Sequence, residues 1–453
     1  MSSVLNTPVR LPCGAVIANR LVKPAITEGL ADPRGWPTRA LERLYADWAK
    51  GGFGLMITGN IVVDAEHLER PGNVIIDQQP TREQMARLRS WVEVGRHGGA
   101  HLWAQLSHSG RQTQKAVNPQ PVSPSAIPVG LQGGLFGKPR EMLPIEIEML
   151  PAQFAAAASV CQAAGFTGVQ IHAAHGYLLS CFLSPKANQR TDQWGGSLDN
   201  RARLLLDIVG AIRRAVGAEF PISVKLNSAD FQKGGLAANE SEAVADMLEA
   251  AGIDLLEISG GSYETPAMVG EIGGGAGGEL PKRASTVARE AYFLEFARNL
   301  RQHSKLPILL TGGLRTREGM LQALAEGVDL LGVARPVCIE PGCVKRLLDG
   351  EINALPVWEE RLRRERGLFS NNSPVSMIRT VASFAGIYWF YAQLYRHGRG
   401  EPLNFGMKPL MAMLEVMNVE KGIEKQRKAL KRARSNNAAA PEVAASAAEP
   451  VRS

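Results

Sequence analysis

Short apolar runs alternate with longer segments of helical period along most of the chain. An apolar run of about four to eight residues is typical of a strand buried on both faces, and a 3.6-residue period is typical of a helix. Eight such runs predict strands. In chain order these are Leu21 to Ile26, Phe53 to Gly59, His101 to Gln105, Gly168 to His172, Ile222 to Leu226, Asp254 to Ile258, Pro307 to Thr311 and Asp329 to Val333.

Helical segments follow these runs one by one, so the chain repeats a strand–helix unit. The predicted helices are Thr38 to Lys50, Arg82 to Arg96, Pro151 to Ala164, Asn200 to Val216, Glu240 to Ala251, Val287 to Gln302, Arg317 to Glu326 and Gly342 to Leu348. Eight strand–helix pairs in series predict one α/β domain, a single (β/α)₈ TIM barrel over residues 1–350. A doubly wound open sheet usually has fewer strands and a Gly-rich turn after the first.

Two connections are long, and both follow the C-terminal ends of predicted strands: Leu106 to Leu150 and Ser259 to Thr286. Long loops inside a compact domain are usually functional, and a barrel builds its active site at this end of its strands. The segment Pro8 to Asn19 is expected to form a small hairpin that closes the opposite end.

Residues 351–419 are expected to form a helical extension packed on the barrel, with helices over Pro356 to Arg366 and Pro374 to Tyr395. Residues 420–453 are expected to be a basic tail. Beyond Glu420 we expect a basic helical stretch, followed from Ser435 onward by Ala, Pro and Glu repeats. These repeats bury too little apolar surface to order themselves, so we expect disorder there.

The chain has 453 residues, 45% of them hydrophobic and 21% charged, which suits a protein with a large buried core. A net charge of +7 at pH 7 would suit a nucleic-acid partner, but its location argues against one. Eight basic and four acidic residues lie between Glu420 and Ser453, so the tail carries four of the seven positive charges. We therefore expect a small-molecule substrate and no nucleic-acid partner, and leave open a homo-oligomer.

Five cysteines are scattered along the chain: Cys13, Cys161, Cys181, Cys338 and Cys343. None belongs to a pair with metal-ligand spacing, so we expect no metal and reduced thiols in the cytoplasm. Residues Met1 to Arg10 have no apolar stretch behind a basic head, so we expect no export signal. The apolar run Thr380 to Ala392 is shorter than the roughly 20 residues that cross a hydrocarbon core, so no membrane span is expected.

The segment from His172 to Tyr177 follows a predicted strand and contains two imidazoles and a phenol, those of His172, His175 and Tyr177. In a loop at the barrel mouth, the imidazoles can polarise a carbonyl or nitro oxygen and the phenol can supply a proton. A chance cluster of polar residues and a two-histidine metal site are the alternatives. No third ligand of the H-E-x-x-H kind accompanies the histidines.

The sequence resembles the Old Yellow Enzyme family of FMN-dependent ene-reductases from about Pro8 to Leu348. The motifs that carry the resemblance are Asn19-Arg20-Leu21-Val22, Trp103-Ala104-Gln105-Leu106, His108-Ser109-Gly110-Arg111, Ser184-Pro185, Asn188 to Ser197, and Asn200-Arg201, together with the two histidines and the tyrosine.

The resemblance implies that FMN is the cofactor and that NADH or NADPH is the reductant. It implies that His172 and His175 bind the substrate oxygen and that Tyr177 protonates the carbon opposite hydride attack. It places Thr27 where its hydroxyl can donate to flavin O4, although Thr27 can also cap a turn. Ala25 and Gly59 match small positions that face the ring.

The resemblance also implies contacts to the pyrimidine edge and to the phosphate of FMN. The Gln105 amide can pair with that edge, and Lys225 would lie near N1, where many relatives carry arginine. The phosphate would bind at the ends of strands seven and eight, a frequent phosphate site in this fold. The residues expected there are Gly312, Gly313, Ala334 and Arg335.

The resulting hypothesis is a two-step cycle in one pocket, in which nicotinamide reduces FMN and an α,β-unsaturated carbonyl or nitro compound then accepts the hydride. Tyr263 is a further candidate for the pocket wall. No G-x-G-x-x-G motif marks a separate dinucleotide domain, and no cysteine cluster predicts an iron–sulfur centre. Two alternatives stay open: an FMN-dependent dehydrogenase or demethylase of amine or alicyclic substrates, and a non-catalytic flavin-binding redox sensor or scaffold.

Overall fold

The computed structural model describes residues 4–131, 134–259, 293–362 and 376–439. Eight parallel strands close into a barrel, because the first strand pairs with both the second and the eighth. The strands are β1 Leu21–Lys23, β2 Leu55–Val62, β3 His101–Ser107, β4 Val169–Ala173, β5 Ile222–Asn227, β6 Leu255–Ser259, β7 Ile308–Thr311 and β8 Leu330–Gly332. The predicted barrel is confirmed, and each strand overlaps its predicted range.

Helices surround the barrel in the predicted order. Their bounds are Arg39–Ala49, Arg82–Arg96, Pro144–Ala164, Leu178–Leu183, Leu198–Val216, Ala238–Ala250, 293–301, Arg317–Ala325 and Cys343–Leu348. Short 3₁₀ turns are Val4–Asn6, Gly110–Gln112, Arg335–Cys338 and Trp358–Leu362. Short strands outside the barrel ring are Val9–Arg10, Val16–Ile17, Val74–Ile75, Val122–Ser123 and Arg140–Glu141.

Helix starts follow from side-chain caps. Thr38, Thr81 and Ser197 each accept a hydrogen bond from a backbone N–H of the first turn, a contact that contributes about 1 kcal/mol. The third helix begins at Pro144, before the predicted start at Pro151, because a proline at the first helical position loses no hydrogen bond.

The predicted hairpin near the N-terminus closes the end of the barrel opposite to the loops after the strands. Val9–Arg10 pairs antiparallel with Val16–Ile17. Val9 and Ile17 pack in one cluster with inward-facing strand residues such as Trp103 and Leu309. Because this apolar cluster fills one end of the barrel, the polar site is expected at the end formed by the C-terminal ends of the strands.

The C-terminal extension contains the aromatic helix Ser376–Arg399 and the terminal helix Pro409–Ala439, which pack against each other. Of the predicted helix Pro356 to Arg366, the structure describes the 3₁₀ turn Trp358–Leu362. No helix among the described residues has the length and apolar character to cross a bilayer.

Residues 420–439 continue the terminal helix, which includes the basic stretch beyond Glu420 that the sequence predicts to be helical. Glu420, Glu424 and Arg427 are buried at a helical spacing, so this face packs on the barrel although it is charged. Arg427 donates to the Ala65 backbone carbonyl, which compensates part of its desolvation. The predicted tail from 440 onward lies outside the described residues.

A buried arginine joins this extension to the loop after β2. The Arg70 guanidinium lies 3.1 Å from a Glu69 oxygen, 3.4 Å from a Glu420 oxygen and 3.8 Å from the Tyr391 ring centroid. These carboxylates and the tyrosine outweigh burial and raise the pKa of Arg70 well above its ordinary value. The extension is therefore fixed over this side of the barrel mouth by a desolvated charge cluster.

We predict that Arg70→Met lowers the free energy of unfolding by about 3 to 5 kcal/mol, because it leaves buried carboxylates without their cation. Urea unfolding measures this change. The exposed ion pair of Arg298 and Glu326 provides the matched control, and Arg298→Met is expected to cost less than about 1 kcal/mol. Equal effects of the two substitutions would contradict the buried-cluster interpretation.

Candidate active site

The end of β4 and the loop after it bring the three predicted rings together, with His172 on the strand and His175 and Tyr177 in the loop. The His172 ring centroid lies 5.1 Å from that of His175 and 4.7 Å from that of Tyr177, both in edge-to-face geometry. All three side chains are largely buried beside the end of the strand, with Tyr177 4% exposed and His172 4% exposed. The predicted convergence on one small volume is present.

His172 is held as a neutral hydrogen-bond donor. Its Nδ1 accepts from the Ala174 backbone N–H at 3.3 Å, so the proton of the neutral ring is on Nε2. Burial, assisted by the nearby His175 and Lys225, lowers the pKa of His172 well below its usual value. The ring can therefore donate to an oxygen without carrying charge.

His175 has a backbone conformation that few non-glycine residues adopt, with φ of 64°. Three contacts hold it. Its N–H donates to Asn227 Oδ1 at 3.1 Å, its carbonyl accepts from Gln112 Nε2 at 2.9 Å, and its Nε2 lies 2.7 Å from Ser259 Oγ. Burial, together with Lys225, lowers the pKa of His175 well below its ordinary value. Such an overdetermined strained residue is common at functional sites.

A buried polar layer crosses the barrel interior below these rings. Gln105 Nε2 donates to Gln170 Oε1 at 2.7 Å, and Gln170 Nε2 donates to Glu257 Oε2 at 2.8 Å. Glu257 Oε1 lies 2.9 Å from Lys225 Nζ. Gln105 and Lys225, which we predicted separately, are thus the two ends of one network, linked by two residues that the sequence analysis missed.

The loop after β1 carries Ala25 and Thr27, which are both half-buried beyond the strand end. Ala25 packs on the cluster inside the barrel. A Cβ at Gly59 would meet the Glu28 carboxylate, and the Gly59 N–H donates to that carboxylate at 3.0 Å. Gly59 is therefore small because Glu28 lies against it, a reason that the sequence analysis did not include.

Glu28 belongs to a second buried charge pair. Its Oε1 accepts from the Tyr45 hydroxyl at 2.5 Å and lies 3.7 Å from Lys23 Nζ. Lys23 also donates to the Ile57 carbonyl at 2.7 Å, and burial lowers the pKa of Lys23 to about 8. This pair fixes the base of the loop that carries Thr27.

The ends of β7 and β8 form the predicted phosphate region. Gly312 and Gly313 have φ of 139° and 75°, conformations that suit glycine, and Ala334 precedes Arg335 at the start of a 3₁₀ turn. One Glu359 oxygen lies 3.0 Å from Arg315 and 3.3 Å from Arg335. Two guanidinium groups that converge on one anionic oxygen, next to a glycine turn, fit a phosphate monoester. Tyr263 lies outside the described residues.

The residues that the sequence analysis missed include Glu257 and Ser259 on β6, Gln170 on β4, and Asn227 at the end of β5. Glu257 and Ser259 are two apart, so both face the barrel interior. Two polar residues at alternate positions of an otherwise apolar strand were the available signal.

Asp64, His67 and His108 form a second polar cluster that joins the loops after β2 and β3, with three potential ligand atoms within 4.8 Å of one another. His67 Nδ1 and His108 Nε2 lie 2.7 Å and 3.4 Å from the Asp64 carboxylate. The opposite ring nitrogens accept from Val122 N–H and Gly110 N–H, so the nitrogens that face Asp64 carry the protons. Although burial alone would raise it, these contacts hold the pKa of Asp64 well below its usual value. The hydrogen bonds of this cluster therefore hold the loop after β2 against the loop after β3.

The mouth of this α/β barrel combines neutral imidazole donors, a phenol and a buried cation, and similarity to known proteins identifies the class of enzyme. The chain matches the NADH:flavin oxidoreductase / NADH oxidase family over residues 5–352, and it belongs to this family. It is therefore an oxidoreductase of the Old Yellow Enzyme type that uses FMN, with NADH as reductant, and acts on small molecules.

Among related proteins, the NADH-dependent flavin oxidoreductase iliE of Hypocrea jecorina is 35% identical over 354 residues, which cover 74% of this chain and 86% of that protein. The iliE protein of Neonectria sp. is also 35% identical, but the chain spans 45% of its length. The Old Yellow Enzyme homologue of Zymomonas mobilis has a solved structure with a TM-score of 0.64 and 26% identity, covering 78% of this chain and 95% of that one.

The buried neutral histidines predict a pH dependence of stability. Burial lowers the pKa of His108, His172 and His175, while histidine in an unfolded chain titrates near pH 6.5. As the pH falls below that value, the unfolded chain takes up protons that the folded chain does not, so stability is lost. Urea unfolding from about pH 7.5 to about pH 5.5 should show a loss that approaches about 1.4 kcal/mol per pH unit for each histidine.

His172→Asn removes one of these groups. It should reduce the change of the unfolding free energy with pH by the contribution of one proton, about 1.4 kcal/mol per pH unit. A stability that does not change over this range would show that these rings are not held neutral.

Proposed function

We propose that the protein reduces an activated carbon–carbon double bond of an α,β-unsaturated carbonyl or nitro compound, with electrons from NADH or NADPH. The observation that carries this proposal is the cluster of His172, His175 and Tyr177 at the mouth, on the strand next to that of Lys225. When bound, FMN supplies the hydride acceptor for the nicotinamide and the hydride donor, at N5, for the second substrate.

His172 and His175 would bind the carbonyl or nitro oxygen of the substrate. The Nε2 proton of His172 is available for donation, and the neutral state of both rings supports hydrogen bonding without proton loss at neutral pH. Fixed donors in a water-poor site stabilise the negative charge that develops on the oxygen when hydride arrives at the β-carbon.

Tyr177 would then protonate the α-carbon. Its ring contacts the edge of His172, so the hydroxyl-bearing ring and the oxygen-binding imidazole border the same space. A phenol has a high ordinary pKa and is a general acid that stays protonated at neutral pH. The phenolate that forms would lie beside imidazole donors.

The chain's cofactor-binding residues are proposed to be Ala25, Thr27, Gly59, Gln105, Lys225, Gly312, Gly313, Ala334 and Arg335. Two features support this set. Gln105 and Lys225 belong to one buried network across the barrel, and the Arg335 and Arg315 guanidinium groups converge on one Glu359 oxygen at the strand ends that carry two positive-φ glycines. Nicotinamide and oxidant would occupy the same pocket in turn.

We predict that Tyr177→Phe slows enone reduction at least tenfold and leaves flavin reduction by NADH largely intact. The reason is that only the oxidative half-reaction needs a proton for carbon. Stopped-flow measurement of each half-reaction, with cyclohexenone and a nitroalkene as oxidants, separates the two. Tyr388→Phe, a phenol-to-phenyl change on the aromatic helix, is the control. Equal loss in both half-reactions would refute the assigned role.

The proposed function itself is tested with the wild-type protein. It should bind FMN, and NADH should reduce that FMN before an enone or nitroalkene reoxidises it. A protein that binds FMN but is not reduced by NADH or NADPH would instead be a flavin-binding sensor, and turnover of amines but not of enones would favour a dehydrogenase.

A further inference from the structure

Glu257 is a carboxylate held deep in the barrel with no exposure to solvent. It is the register partner of Lys225 on the neighbouring strand, and the two side chains form an ion pair of 2.9 Å. Its second oxygen accepts from Gln170 at 2.8 Å. The carboxylate is therefore fixed from two sides and cannot turn away from the ammonium.

The position of the Glu257 carboxylate changes the electrostatic effect that Lys225 would have on a bound flavin. A lone ammonium at the pyrimidine edge of a flavin would favour the reduced, anionic ring strongly, because charges interact strongly in a site with little water. A carboxylate in contact with the ammonium cancels much of that field. The pair as a whole presents a dipole to the mouth in place of a full positive charge.

We propose that Glu257 is a positioning residue that orients the Lys225 ammonium and holds the midpoint potential of the bound FMN low. The inference rests on the proposed function, in which Lys225 faces the flavin. A low potential makes reduced FMN a stronger hydride donor, which suits a protein that must deliver hydride to carbon. Gln170 assists by fixing the orientation of the Glu257 carboxylate through a hydrogen bond, and Gln105 fixes Gln170 in the same way.

A purely structural role is the competing explanation. Buried ion pairs are weak evidence for stability, since apolar replacements are often neutral, and loss of one partner is costly because the other charge stays buried. A structural role predicts that substitution of Glu257 changes the unfolding midpoint while the potential of retained FMN stays the same.

The experiment measures the midpoint potential of FMN in the holoprotein by equilibrium reduction against reference dyes. Glu257→Gln removes one negative charge with little change in shape. It should shift the potential to more positive values, with at least a tenfold rise in the affinity for reduced relative to oxidised FMN, equivalent to about 30 mV for a two-electron couple. Lys225→Met should shift the potential in the opposite direction.

Ser223→Ala is the matched control. Ser223 Oγ accepts from Gln170 in the same polar layer at 3.2 Å but carries no charge, so the potential should stay that of the wild type. A potential that is unchanged in Glu257→Gln, or that moves by the same amount in Ser223→Ala, would overturn the inference.

If Glu257→Gln alone fails to fold or to retain FMN, a second comparison decides. The double variant Lys225→Met with Glu257→Gln leaves neither charge without its partner, and its potential should be more positive than that of Lys225→Met. Equal potentials in these two variants would overturn the inference. A wild-type protein without FMN would overturn the proposed function itself, so the two failures are distinguishable.

Discussion

Closure of the barrel is the constraint on which the rest of the structure depends. Because β1 pairs with both β2 and β8, all eight parallel strands end at one mouth. The loops that follow the strands therefore lie close together. The other end is filled by an apolar plug that includes the N-terminal hairpin. Polar side chains near the strand ends therefore converge whether or not they are close in the sequence. The barrel topology therefore determines which residues meet at the site more than the local sequence motifs do.

Because the strand ends converge, several charged side chains lie at the barrel mouth where little water reaches them. These charges form ion pairs. Lys225 contacts Glu257, and Lys23 lies near Glu28 while burial lowers its pKa. Buried charges without partners are expensive, which explains why each lysine has its own carboxylate on an adjacent strand or loop. The same demand explains the neutral histidines, whose protonation would add unpaired charge to a crowded mouth.

The fold was readable from the sequence because eight strand–helix repeats are a local, periodic signal. The cluster of His172, His175 and Tyr177 was readable for the same reason, since its members lie within six consecutive residues at the end of β4 and in the loop that follows it. Glu257, Gln170 and Ser259 were not, because their partners lie on other strands and only the closed barrel brings them within bonding distance. The burial of one face of the terminal helix was not readable either, because a charged sequence resembles a solvated surface until Arg70 and the Ala65 carbonyl are known to face it.

The arrangement of the buried cations indicates where an anion can bind. Among the residues that the structure describes, Lys23 lies near Glu28 and Lys225 contacts Glu257, whereas the Arg315 and Arg335 guanidinium groups both lie against one oxygen of Glu359. This last group brings two guanidinium groups to one place. It also lies at the ends of β7 and β8, beside two glycines that leave backbone N–H groups accessible. A phosphate with two negative charges gains most where two guanidinium groups converge, which supports the proposal that Arg335 binds the phosphate of FMN and extends this proposal to Arg315.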